Sequence, residues 1–414
     1  MEPRTRRPAK TEGAGGPTPV VLDPIEIATG MVFGFEEVPP LDSYPESCTP
    51  QEAMEQVLIE ALARPPCLLS FSGGRDSSGL LAVATKVARR EGLPLPVPAT
   101  LIVPGSVGAN EDEWQDMVLR HLGLSERICI EVLGDALDAV GPVATALLKR
   151  HGLLYPFNTH FHWPIIERAS GGTLVTGFGG DELGLLSAGA KAERVLSSWH
   201  RPSLRDPLVV GLATSPRWIR TKVYGRRARG ELARLPWLAP EGLRLACVAS
   251  ARLDSAVPLG WNAKIRQWLW RERYVRVCLE CFSILGRDKD VHVVHPFVHP
   301  RVLDALARSG GFRGFGGRTQ LVGALFGDLL PDAVVSRRTK GAYDDALWTA
   351  TAFSFARSWS GQGIPDVVDT EALRDHWLHE GRYAASALLL QHAWLADWKA
   401  QSTEPPPPSR AANA

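Results

Sequence analysis

The chain has 414 residues, 45% hydrophobic and 22% charged, enough to bury a substantial core as one large domain or two. Forty-six Lys and Arg against forty-five Asp and Glu leave a formal charge of +1, so no global basic field advertises nucleic-acid binding. No apolar run reaches membrane-spanning length, the N-terminus has arginines but no hydrophobic signal core, and the six cysteines are too scattered for a disulfide framework; the expectation is a cytoplasmic protein with reduced thiols.

In chain order, the first twenty residues, rich in Pro, Gly, Arg and Thr, read as a disordered arm, and residues 401–414 as a disordered tail. Thr49 as N-cap, Pro50 at the first helical position and Glu52 three residues on predict a capped helix with Val57, Leu58, Ala61 and Leu62 on its apolar face, ending by Pro65. Residues 67–71 form a short apolar run that reads as a buried parallel strand, and Leu80, Leu81, Val83, Ala84, Val87 and Ala88 fall at helical spacing. Between them lies Ser72-Gly73-Gly74-Arg75-Asp76-Ser77-Ser78. Its glycines let backbone N–H groups approach a ligand, its serines add hydroxyls, and the following helix offers its positive end, which together suit a polyphosphate. Asp76, an anion in an anion site, makes sense as a ligand of the magnesium ion that neutralises the phosphates. The loop lacks both the Gly-Lys-Ser/Thr of a Walker A motif and the spacing of a dinucleotide fingerprint.

Further strands are predicted at 99–103 and 127–132 and further helices at 111–122, 136–148 and 163–169, with Trp114, Met117, Val118 and Leu122 inward in the first of these. They lead to a fourth strand, Leu174 at its centre, which runs into Thr176-Gly177-Phe178-Gly179-Gly180-Asp181-Glu182-Leu183. Repeated strand–helix alternation predicts an α/β fold with a doubly wound parallel sheet and the loops at its carboxyl edge, where both glycine loops reach one nucleotide and Asp76 and Asp181 share the magnesium. From about residue 190 to 400 helix-like segments dominate, and Trp261, Trp268, Trp270, Trp394 and Trp398 read as packing. Residues 226–234 read as a solvated basic helix face, with a loop over the site as the alternative, and 310–317, with five glycines, as backbone that bends sharply or approaches something closely. Cys278, Cys281, His292 and His295 superficially supply four zinc-type ligands, but histidines at i and i+3 of a strand point to opposite faces. Finally, a run from Leu329 leads to Arg337-Arg338-Thr339-Lys340-Gly341-Ala342-Tyr343. Lys340 is a compact cation suited to bridge phosphate, carboxylate and oxyanion, although such a basic run taken alone reads as a surface turn.

These three segments, in this order, resemble the asparagine-synthetase branch of the ATP pyrophosphatase superfamily over approximately residues 50–400. The resemblance implies an adenine-nucleotide alpha-hydrolase-like domain over 48–400, divided into a nucleotide-binding α/β core (48–190) and a mainly helical C-terminal portion (191–400), with 1–47 a disordered arm and interdomain-like remnant. It implies ATP and Mg2+ as cofactors, held by Ser72, Gly73, Gly74, Asp76, Ser77, Ser78, Val103, Thr176, Gly177, Gly179 and Gly180, with Asp76 and Asp181 on the metal and Lys340 as the catalytic residue. In that branch a carboxylate attacks the α-phosphate of ATP, pyrophosphate leaves, and an amine displaces AMP to form an amide.

Three departures narrow the expectation. Asparagine synthetases begin with a glutamine-hydrolysing domain, whereas here Met1 is followed by Glu2. Phe178 stands where they carry Glu and the β-lactam-forming synthetases carry Tyr, and a phenyl ring neither accepts nor donates a proton. The run His295-Pro296-Phe297-Val298-His299-Pro300 replaces the family's Pro-Phe-Leu-Asp. With the form of the lysine segment, these look most like the lasso-peptide macrocyclases, which imply a precursor-peptide substrate, a leader-binding protein and a peptidase as partners, and no nucleic acid or membrane. The alternatives are amidation of a small metabolite with ammonia or a small amine, a tRNA-modifying pyrophosphatase, and an inactive nucleotide-binding scaffold.

Overall fold

Five parallel strands make one sheet in the order β3-β2-β1-β4-β5: β1 is Cys67–Ser70, β2 Val97–Ile102, β3 Ile128–Glu131, β4 Thr173–Val175 and β5 His292–Val294. The computed structural model describes residues 20–44, 48–104, 111–184, 191, 205–337, 339, 341, 344–380 and 384–403. The sheet is doubly wound because its strands are apolar on both faces. Cys67, Leu69 and Val175 face one core and Leu68, Ala99, Ile130 and Leu174 the other. Strands buried on both sides need helices on both sides.

The first of these cores is built with helices α2 (Pro50–Leu62) and α3 (Arg75–Glu91) and the later helices Pro300–Gly310 and Arg318–Phe326. The other lies under α5 (Pro142–His151), α6 (Trp163–Arg168), Arg273–Arg287 and Ala387–Thr403. The caps predicted for α2 form: Thr49 accepts from the Glu52 N–H while Glu52 reaches back to the Thr49 N–H. Helix α4 (Asp112–Leu122) turns Gln115, Val118 and Leu119 fully inward, with Trp114 and Met117 only half-buried. The segment 135–141 is not helical; the Asp138 carboxylate takes the N–H groups of Val140 and Thr349, and Pro142 starts α5.

One expectation changes. Residues 20–44, read as part of an arm and remnant, are built into the domain: α1 (Pro24–Thr29) carries an Asp23/Glu26 capping box, Ile27 and Ala28 are buried, and the buried Trp237 indole N–H donates to the Ala28 carbonyl at 2.8 Å. The stretch 191–400 is mainly helical as expected, and its strand-like run at His292 is β5, which pairs with β4 at the sheet edge. The glycines at 310–317 approach Trp261: a Cβ at Gly310 or Gly314 would stand 2.6 or 2.7 Å from its ring. Cys278 and Cys281 are buried on the helix Arg273–Arg287, with the Cys281 thiol accepting from the Tyr155 N–H, while His295 turns to Thr176 and His292 is exposed.

Candidate active site

Strands β1 and β4 are neighbours, so the two glycine-rich loops that leave their carboxyl ends face each other. They border a cleft of 560 Å³ whose walls include Ser72, Asp76, Thr176, Phe178, Asp181 and Arg318. The first loop is internally braced. Ser77 Oγ takes the Ser72 N–H at 3.3 Å and donates to the Gly74 carbonyl, and Gly74 N–H donates to Ser72 Oγ. Gly74 is the N-cap of α3 and makes no side-chain cap, and the helix's positive end lies at the cleft. Gly73 has φ +78°, a left-handed conformation that strains any residue with a Cβ.

The second loop is shaped by close approach. A Cβ at Gly180 would stand 2.6 Å from Asp76 Cγ, and one at Gly179, φ +95°, would stand 2.4 Å from Val298. Glycine at 180 is what lets the Asp76 carboxylate lie against this backbone. The guanidinium of Arg318, first residue of the helix Arg318–Phe326, pairs with Asp76 through one nitrogen and with Asp181 through the other. A cation therefore sits between the two carboxylates that the sequence assigned to magnesium. That is the fit expected of a divalent-ion site built from two carboxylates with substrate phosphates and water completing the shell. Among the described residues no three His, Cys, Asp or Glu side chains group as a metal cage.

Of the residues assigned to ATP, the structure brings Ser72, Gly74, Asp76, Ser77, Thr176, Gly177 and Gly179 to the cleft wall, with Asp181 beside them. Gly73 and Gly180 act one layer back, the first through its carbonyl and the second by its contact with Asp76. Ser78 is fully buried, its hydroxyl without a hydrogen-bond partner among the described residues, and Val103 lies just past the end of β2, where Ala99 and Leu101 line the cleft instead. Lys340, with Arg338, Ala342 and Tyr343, lies outside the described residues. Two of its neighbours, Arg337 and Thr339, are described. Thr339 lines the cleft, and the buried Arg337 pairs with Glu111, donates to the Gly73 carbonyl at 2.9 Å and stacks over Trp114 at 4.5 Å. Arg337 is thereby clamped to the phosphate loop.

Phe178 packs on Tyr274, Phe282 and His295, with ring centroids 6.0, 6.2 and 5.5 Å away. His295 Nδ1 meets Thr176 Oγ1 at 2.6 Å, and the same oxygen accepts from the Phe178 N–H; burial and the neighbouring His162 push the imidazole down to about 3, so it stays neutral and accepts the hydroxyl proton. His299, at the place of the family's aspartate, is the N-cap of the helix Pro300–Gly310 and accepts from the Arg301 N–H. Its task there is a helix cap.

Arg318 is the cleft residue that sequence reasoning missed. So is the pair formed across the cleft by Glu182 and Tyr274, whose phenol O–H donates to the carboxylate at 3.1 Å. For Arg318 the only local signal was its place directly after Gly316 and Gly317, at a helix start.

A search of the curated proteins gives no match. The family model described as asparagine synthase matches residues 53–400, most of the chain and all the segments just described. The chain belongs to the asparagine synthase family, and its general chemistry is ATP-dependent formation of an amide bond.

Proposed function

We propose that this enzyme adenylates a carboxylate, releasing pyrophosphate, and that the carboxylate belongs to a precursor peptide whose own amine then displaces AMP to close a ring. The observation that carries the adenylation is the meeting of two carboxylates, Asp76 and Asp181, on a single cation between two glycine-rich strand ends. Asp76 and Asp181 would hold magnesium, which when bound supplies positive charge to the departing pyrophosphate. The N-terminus of α3 and the Ser72 and Ser77 hydroxyls orient phosphate oxygens, while Phe71, Ala99 and Leu101 give an apolar slot beside them for the base. Lys340, three residues after the clamped Arg337 and next to cleft-lining Thr339, takes the charge that develops on the α-phosphate and acyl oxygens. The peptide reading is supported by the wall opposite the phosphates: Phe161, Phe178, Tyr274 and Phe282 make it aromatic, suited to a peptide segment and lacking a base at position 178 for ammonia.

ATP–pyrophosphate exchange tests this directly. The enzyme is offered linear peptides with a free N-terminus and one Asp or Glu side chain, then free aspartate and glutamate with ammonia. Exchange driven by a peptide, with a product lighter than it by one water, is expected. Exchange driven only by the free amino acids would replace peptide cyclisation with metabolite amidation, and no exchange with any carboxylate would overturn adenylation. Replacing Lys340 by Ala should lower turnover by about 100-fold or more with little change in ATP affinity; a change confined to KM would remove the lysine from the chemistry.

A further inference from the structure

Amide formation needs a proton acceptor for the attacking nitrogen, and the loop position that supplies one in related sequences holds Phe178 here. Among the described residues lining the cleft, few side chains are candidates. Asp76 and Asp181 are engaged by Arg318. His162 has its Nδ1 enclosed without a hydrogen-bond partner among the described residues, and its ring packs on Phe282 at 4.8 Å; burial and His160 push it down to about 4, leaving a weak base.

Glu182 remains. It is the residue after Asp181 in α7 (Gly180–Leu183), it lines the cleft, and it is held from the other wall by the Tyr274 hydroxyl at 3.1 Å. Tyr274 is itself wedged, with Tyr155 edge-on at 5.9 Å and Phe178 at 6.0 Å. Burial, with Cys278 and Glu182 adding to it, raises the phenol far above its ordinary value, so it stays protonated and serves as donor to the carboxylate. The phenyl ring at 178 thus packs against the tyrosine that orients the nearby carboxylate.

We infer that Glu182 is the base of the amide-forming step and Tyr274 its positioning residue. The inference rests on the adenylation reading above. In the step, Glu182 takes one proton from the N-terminal ammonium, the freed lone pair forms the bond to the acyl carbon and the carbonyl pair moves onto oxygen. The second N–H proton leaves with a phosphate oxygen of AMP. The oxygen pair re-forms the carbonyl as the carbon–oxygen bond to phosphate breaks, AMP leaves with that bonding pair, and Glu182 returns its proton to water at the cleft mouth.

The experiment separates the two half-reactions on a peptide with a free N-terminus and one Asp or Glu side chain, first shown to drive exchange in the wild-type enzyme. If no carboxylate drives exchange there, the functional reading and this inference fall together. Given exchange, Glu182→Gln should keep it within about 3-fold, and should keep hydroxamate formation with hydroxylamine, an amine that is neutral and needs no base at pH 7. Its amide formation at pH 7 should fall about 100-fold, and the deficit should close as pH rises toward an α-amino pKa of about 8. Tyr274→Phe should lose about 10-fold in the same step with exchange retained. Equal loss of exchange, hydroxamate and amide in Glu182→Gln would assign Glu182 to the nucleotide site and overturn the inference, as would a wild-type amide rate and pH profile. Should Glu182→Gln fail to fold, Glu182→Asp and Tyr274→Phe decide: an unchanged ratio of amide to hydroxamate in both refutes the role.

Discussion

Arg337 offers a test of how the phosphate loop is held from the far end of the chain. Its side chain is 4% exposed and that of Glu111 7%, and the two pair inside the protein while Arg337 also donates to the Gly73 carbonyl. Replacing Arg337 by Met keeps the volume and leaves Glu111 a buried carboxylate without its counter-ion, a loss of about 3–5 kcal/mol for such a pair. For 414 residues, an unfolding entropy of about 2.1 cal/mol/K per residue converts this to a fall in Tm of about 4–6 °C, read by calorimetry or thermal circular dichroism. The double variant Glu111→Gln, Arg337→Met removes both charges. It should recover more than half of the loss, because the penalty lies mainly in the stranded charge. Exchange activity should fall in both variants, since neither retains the Gly73 clamp. A single variant as stable as wild type, or a double variant whose loss is the sum of the two singles, would refute the coupling.

Asp76→Asn and Asp181→Asn should each cut pyrophosphate release by about 100-fold or more with the fold retained by circular dichroism; wild-type turnover in both would remove the shared cation site. Gly180→Ala should cost about 1–3 kcal/mol from overpacking and displace Asp76, whose Cγ would lie 2.6 Å from the new methyl; its KM for Mg-ATP should rise well before stability fails, and unaltered kinetics would contradict the contact. Glu272 is raised from its ordinary 4.5 to about 7 by burial, with Glu182 adding and the buried Lys264 opposing. The folded state therefore holds its proton more tightly than the unfolded chain, a contribution fully present below about pH 4.5 and lost as pH rises through about 7, worth up to about 3 kcal/mol. His160 and His295, depressed by burial to about 4 and about 3, act in the opposite sense at acid pH, so the measurement is the difference in Tm between wild type and Glu272→Gln from pH 5 to 8. A difference independent of pH would refute the assignment.

Much of the site was legible because its signals are local. Cys67 to Phe71 is an apolar run buried on both faces, Gly73 and Gly179 mark left-handed backbone, and Asp76 and Asp181 occupy like positions after neighbouring strands. What escaped depends on partners far along the chain. Nothing near Arg318 announces that it reaches carboxylates 242 and 137 positions away, and the Glu182–Tyr274 pair spans 92. The run from His292 read as a strand, but its pairing beside β4 depends on residues far back in the chain. Helix α1 was readable: Asp23, Pro24 and Glu26 repeat the pattern of Thr49, Pro50 and Glu52, and only the expectation of a remnant there concealed it.

The clamp between Arg337 and Gly73 joins positions 264 apart in the chain. Loops that long are closed late, after local helices and the strand pairs they support have formed. The two glycine loops are brought side by side by β1 and β4, and competence for catalysis further requires Arg318 and Arg337 from the far end of the chain. Recovery of pyrophosphate exchange should lag behind recovery of secondary structure.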